Sequence, residues 1–271
     1  MPASRSAKRS TEDTARPAAR RGLVLAILAG SLAVLGVFVS AMPAGIITHF
    51  LPSSIHAEDL SGSVWHGAIG KLTAAGHDAG AVEWQLYPAA LLHFAIKLDL
   101  HWVYRGFGAA TTAVVDHGSS SFSALHGGGP IEDLQDFGVA RGWRGTADIS
   151  LDRFATDYAR ILSARGDIKV SGLSSAQLAA GADLGSYVLH LGNDAVDANG
   201  GVTGRISDAG GPLSVQGTIV VSPLQHTGTL SATIAERADA SPNLRKELEN
   251  LAQLRGRDRD GRIPVDLEFS F

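Results

Sequence analysis

Apolar and polar residues alternate with a period of two over Phe94-Ala95-Ile96-Lys97-Leu98-Asp99-Leu100-His101-Trp102. Phe94, Ile96, Leu98, Leu100 and Trp102 then share one face, and Lys97, Asp99 and His101 the other, as in a strand with one dry and one wet side. The alternation returns over Leu213–Val221 and Thr229–Ile234, and closes the chain over Val265–Phe271. Leu60–Gly67 reads as a strand-turn unit, and shorter strands are predicted at Val82–Leu86, Thr111–Val115, Gly145–Leu151, Ile168–Leu173 and Tyr187–Leu191. Asn199-Gly200 and Asp260-Gly261 mark turns between strands.

Helical spacing is rarer. Ser241-Pro242 supplies a cap and a first-turn proline, after which Leu244, Leu248, Leu251 and Leu254 form one stripe. This predicts an amphipathic helix lying across the sheet, with the apolar side of Phe94–Trp102 as the surface it covers. Pro130–Phe137 predicts a short helix, and the spacing of Leu151, Phe154, Tyr158 and Leu162 predicts another.

A third pattern stands at the N-terminus. Gly22–Met42 holds no ionisable side chain, and as a helix it reaches about 31 Å, enough to cross a hydrocarbon core. Arg20 and Arg21 precede it directly, so the positive-inside rule leaves the N-terminus in the cytoplasm and the rest outside. The expected organisation is a cytoplasmic basic tail over 1–21, a transmembrane anchor over 22–42, a connector over 43–54 and a periplasmic β-rich domain over 55–271. The competing reading is a signal peptide cleaved after Val39-Ser40-Ala41, but the apolar run exceeds the ~7–15 residues usual for such a region. An outer-membrane barrel is disfavoured too, since an uncharged span of this length arrests export at the inner membrane.

Composition sharpens this picture. The chain holds 32 glycines and only 6% aromatic residues, which suits a many-turned β protein. Cysteine is absent, so disulfides, thiolate metal sites and cysteine nucleophiles are excluded. The formal net charge is −4, yet residues 1–21 carry Arg5, Lys8, Arg9, Arg16, Arg20 and Arg21 against Glu12 and Asp13. The remainder is therefore more acidic than the whole, which argues against nucleic acid as a partner.

Candidate chemistry is sparse. The ten histidines are scattered, without the i, i+4 pair of a zinc protease. Asp258-Arg259-Asp260-Gly261 resembles the start of a calcium loop, but Phe269 stands where the late bidentate acid belongs, so a charged turn is predicted. Gly127-Gly128-Gly129 has no following Lys-Ser or Lys-Thr and reads as a flexible connector, and no Gly-x-Ser-x-Gly elbow occurs. Neither a cofactor, a metal nor an enzymatic activity is expected. Trp65, Trp84, Trp102 and Trp143 fall in predicted strands, where half-buried packing is the first expectation and a lipid-binding surface the second.

Two segments then carry a resemblance: Leu60-Ser61-Gly62-Ser63-Val64-Trp65-His66-Gly67, and soon after it Val82-Glu83-Trp84-Gln85-Leu86-Tyr87-Pro88. With the N-terminal anchor, the late Leu-rich helix and Asp260-Gly261-Arg262-Ile263-Pro264-Val265, the chain resembles the protein N family (GspN) of the bacterial type II secretion pathway. The resemblance implies a non-catalytic accessory of the inner-membrane side of the machine that exports folded proteins across the outer membrane. Other type II secretion components are the implied partners. Analogy to AsmA-like proteins adds a curved, mostly antiparallel sheet and a second reading, a lipid-binding or lipid-transfer module in contact with membrane lipid. Trp65, Trp84, Leu98, Leu100 and Trp102 are the candidate structural or interaction residues.

Overall fold

Among the described residues thirteen strands follow one another in succession. The computed structural model describes residues 42–157, 159–178 and 181–270. The chain divides into Met1–Pro43 and Ala44–Phe271. The basic tail and the span predicted at Gly22–Met42 lie outside the described residues, Met42 apart. Among the described residues no helix is long and apolar enough to cross a membrane.

Within Ala44–Phe271 the strands are β1 (Ile55–Gly62), β2 (His66–Ala74), β3 (His77–Leu86), β4 (Ile96–Tyr104), β5 (Phe107–Val115), β6 (Ser120–Pro130) and β7 (Trp143–Thr156). They continue as β8 (Ile161–Ser175), β9 (Asp183–Leu191), β10 (Val202–Asp208), β11 (Leu213–Ser222), β12 (Thr227–Glu236) and β13 (Ile263–Ser270). All belong to one open sheet whose spatial order is the sequence order, with β1 and β13 at its edges. Every pairing is antiparallel. The mainly β, antiparallel expectation is met.

Register gives the sheet two unlike faces. Ile149, Ile168, Leu189, Ile206, Gly217, Ala232 and Val265 are successive cross-strand partners on one side. One residue along, Ser150, Asp167, His190, Arg205, Thr218, Ser231 and Asp266 are successive partners on the other. Because side chains alternate sides, a slip of one residue would expose the whole apolar row, and burial therefore holds the register.

Short segments cover the apolar side. The 3-10 helix Ala44–Phe50 brings Ala44 and Ile47 onto Ile69, Trp84, Leu98 and Leu100. A second 3-10 helix, Ile131–Phe137, seats Ile131 beside Phe107 and Ala147. Among the described residues the α-helices are α1 (Pro88–Leu91) and α2 (Pro242–Arg255). In α2 Ser241 Oγ accepts a hydrogen bond from the Leu244 amide at 3.3 Å, and Pro242 occupies the first turn where its missing N–H costs nothing.

The position of α2 corrects one expectation. Its Leu244, Leu248 and Ala252 pack on Leu184, Leu213, Val215 and Ile263, so it covers β9, β11 and β13 rather than the Leu98 and Leu100 side of β4. The helix lies between β12 and β13 in the chain, and its short flanks hold it to the neighbouring strands. The stripe also turns to Ala252, leaving Leu254 84% exposed.

Other local readings change as well. Leu151 and Phe154 lie on β7 and Leu162 on β8, while Tyr158 is outside the described residues. A register shift between Leu151 and Arg153 puts Leu151 and Phe154 on one face at a spacing of three, imitating a helix. Gly127-Gly128-Gly129 is part of β6 and no connector. A Cβ on Gly127 would stand 2.7 Å from the Gly108 carbonyl oxygen, so these glycines permit close strand approach. Phe94 precedes β4, with φ +56°, in the turn that follows α1.

Candidate interaction surface

The two motif segments interlock. Trp84 on β3 is buried, and its indole Nε1 donates to the Val64 carbonyl oxygen at 2.9 Å. The Leu86 amide donates to the Trp65 carbonyl oxygen at 2.6 Å, so the β1–β2 bend is tied to β3 twice. A Cβ on Gly67 would lie 2.6 Å from Trp84 Cζ2, which explains why glycine follows Trp65-His66: the indole of Trp84 takes that space. Trp65 itself sits in the bend, half-buried, and not in a strand.

The structure brings Trp84, Leu98 and Leu100 together beneath Ala44–Phe50. Trp102 lies in the next cluster, with Phe107, Ile131 and Ala147, and its Nε1 donates to the Ala79 carbonyl oxygen at 2.7 Å. Phe137 meets both Trp102 and Tyr104 edge-on, at 5.7 and 5.1 Å between centroids, a preferred aromatic geometry.

The opposite side is polar. A shallow cleft of about 450 Å³ is lined by Ser61, His66, Glu83, Gln85, Asp99 and His101, among others. Asp99 accepts from Thr112 Oγ1 at 2.6 Å and from the Tyr87 hydroxyl at 2.5 Å. Those two donors hold its carboxyl below the usual range. The same bond pushes the Tyr87 hydroxyl up, so neither group is poised for proton transfer near neutral pH. Among the described residues no group of three or more His, Asp or Glu side chains could hold a metal ion.

Two groups of apolar side chains stand partly or largely exposed among the described residues. At the corner between β3 and β4, Leu92 is 81% and Phe94 78% exposed, beside exposed Leu91 and Ile96. On the second half of β13, Leu267 and Phe269 are exposed beyond the reach of α2. The corner was legible as the run Ala89-Ala90-Leu91-Leu92, and the β13 edge as Pro264 inside an alternating segment. Sequence reasoning placed Phe94 and Ile96 on an apolar strand face and Val265–Phe271 in a closing strand, and marked neither as exposed.

A single antiparallel sheet with one polar face, an incompletely covered apolar face and two edges defines a surface-presenting β protein. The sequence model of the type II secretion system (T2SS) protein N family matches residues 53–266, most of the chain, and the chain belongs to that family. The resemblance read from Leu60–Gly67 and Val82–Pro88 is thus confirmed. No curated protein and no solved structure matches the chain.

Proposed function

We propose that the chain is a non-catalytic accessory of the type II secretion machinery whose sheet holds other components of the machine. In this reading Gly22–Met42 anchors it in the inner membrane, the basic tail stays in the cytoplasm and the sheet stands in the periplasm. The family match over residues 53–266 carries the proposal. The sheet's edges and its exposed apolar side chains support it, because such surfaces recruit further chains. Deleting the gene should leave the secreted folded substrates in the periplasm, and restoring the full chain should release them. Normal secretion without it would remove the assignment. Protease added to spheroplasts should digest the sheet, and N-terminal sequencing of membrane-purified protein should show a chain that has not been cut before Met42.

Exposed Leu91, Leu92, Phe94 and Ile96 favour a second reading, in which the corner between β3 and β4 receives acyl chains. Lipid extracted from the purified parent and lost from Phe94→Asp, with folding intact, would bring that reading forward.

A further inference from the structure

The two edges of the sheet are built differently. On β1, Asp59 has φ +56° and drops out of the ladder between Glu58 and Leu60, and Glu58 pairs with Lys71 across the strands at 3.0 Å. An interruption of the ladder is one ordinary way to keep a foreign strand off an edge, and it separates β1 from β13, since both edges carry charged side chains. On β13 all eight residues from Ile263 to Ser270 pair with β12 without a register shift. The ladder is unbroken along its length, and no described strand lies against its far side.

Pro264 tells which residues bond outward. Proline has no N–H to give the ladder, so it fits where the backbone faces away from β12. Bonding direction alternates along a strand, so Asp266, Glu268 and Ser270 share Pro264's outward side. Their side chains belong to the polar face, since Asp266 pairs with Ser231 and Glu268 with Thr229. Leu267 and Phe269 stand on the apolar face, 50% and 41% exposed. Among the described residues the edge therefore presents outward amides and carbonyls that no strand takes up, two carboxylates on one side and two partly exposed apolar side chains on the other.

Resting on the interaction role above, we propose that β13 is a docking edge for an extended segment of another protein in which basic residues alternate with apolar ones. The apolar residues would continue the dry face past Leu267 and Phe269, and the basic ones would lie opposite Asp266 and Glu268. A second copy of this chain fits poorly. Antiparallel self-pairing centred on Leu267 sets Asp266 against Glu268 of the other copy, and like charges directly opposed destabilise a strand pair. Charge thus selects a different partner.

The probe is a short peptide of alternating valine and lysine, added to the purified full chain, with a valine–glutamate peptide as control. At ten times its dissociation constant the lysine peptide should slow hydrogen exchange of the Asp266 and Glu268 amides about tenfold. The glutamate peptide should not. Glu268→Pro removes an outward donor without touching the β12 ladder, and should abolish this protection. Asp266→Lys with Glu268→Lys should reverse the preference between the two peptides. Protection at β1 instead, equal protection by both peptides, or a concentration-dependent dimer lost in Glu268→Pro would each overturn the proposal. Secretion separates this inference from the functional reading it rests on. If deletion blocks export while Glu268→Pro supports it fully, the edge is wrong and the accessory role stands.

Discussion

Two helices of this chain begin with proline and join neighbouring strands, yet they end in opposite situations. The fourteen residues of α2 bury Leu244, Leu248 and Ala252 on the sheet. The four residues of α1 bury none, and leave Leu91 and Leu92 in the open. Composition does not separate them, since α1 is the more apolar. Length does: about three and a half residues make one turn, so a four-residue helix cannot repeat a contact along a stripe. Covering a β face requires several turns, and where the connection is a single turn the apolar side chains stay outside.

The contrast can be broken most directly at Leu248. Leu248→Asp puts an unpaired carboxylate between α2 and the sheet, where it must stay neutral or expel the helix. Circular dichroism should show loss of the cooperative unfolding transition, and a parent-like transition would mean that α2 contributes no cover.

The second cover, Ala44–Phe50, is probed through the indole it packs on. Trp84→Ala should lower stability by about 3–5 kcal/mol in urea titration, because it opens a cavity and leaves the Val64 carbonyl without its donor. Trp65→Ala, at a half-buried bend, should cost clearly less, and the reverse order would place the anchor of this corner in the bend instead of in β3.

A smaller effect lies near the foot of α2. Burial pushes the Tyr187 hydroxyl up to about 12, with the Asp183 and Asp208 carboxylates adding to it. An unfolded tyrosine ionises near 10.0, so the stability linked to this group is present below about pH 10 and is lost as pH rises toward about 12. The melting temperature should fall across that window, and less steeply in Tyr187→Phe. Equal slopes would show that the phenol is already hydrated.

At α1 the expectation is nearly nil. Leu92→Ser and Phe94→Ser should each change stability by no more than about 0.5 kcal/mol, and a larger loss would show that this corner is covered after all.

Much of the sheet was legible because a strand with one wet face writes itself into the sequence. β11, β12 and β13 match the alternating runs to within two residues at either end. Strands were harder to see where bulges broke the period, as at Leu151 and Arg153 in β7, and where small residues carried it, as in Gly127–Gly129 of β6. Of the candidate residues, Trp84, Leu98 and Leu100 come together, as a shared apolar face predicts, and Trp102 joins the adjoining cluster. What covers them could not be read. Ala44–Phe50 lacks helical periodicity of its own, and its cover is a tertiary fact. The family motif had a similar limit: Trp84 fills the space that Gly67 leaves, and that relation emerges only once β2 and β3 are paired.

Because each strand bonds only to the strands before and after it in the chain, the ladder can be assembled in the order of synthesis. Each new hairpin closes a short loop onto an edge already in place, and short loops cost little entropy and close fast. The order of assembly has one deferred step. Ile263, only 1% exposed beneath α2, must wait until both the helix and β13 have been made, so the C-terminal end is the last to dry. A sheet domain delivered from its N-terminal end can therefore fold as it arrives, with an edge open for the next strand at every stage, and the final edge is the one with no later strand to take it up among the described residues.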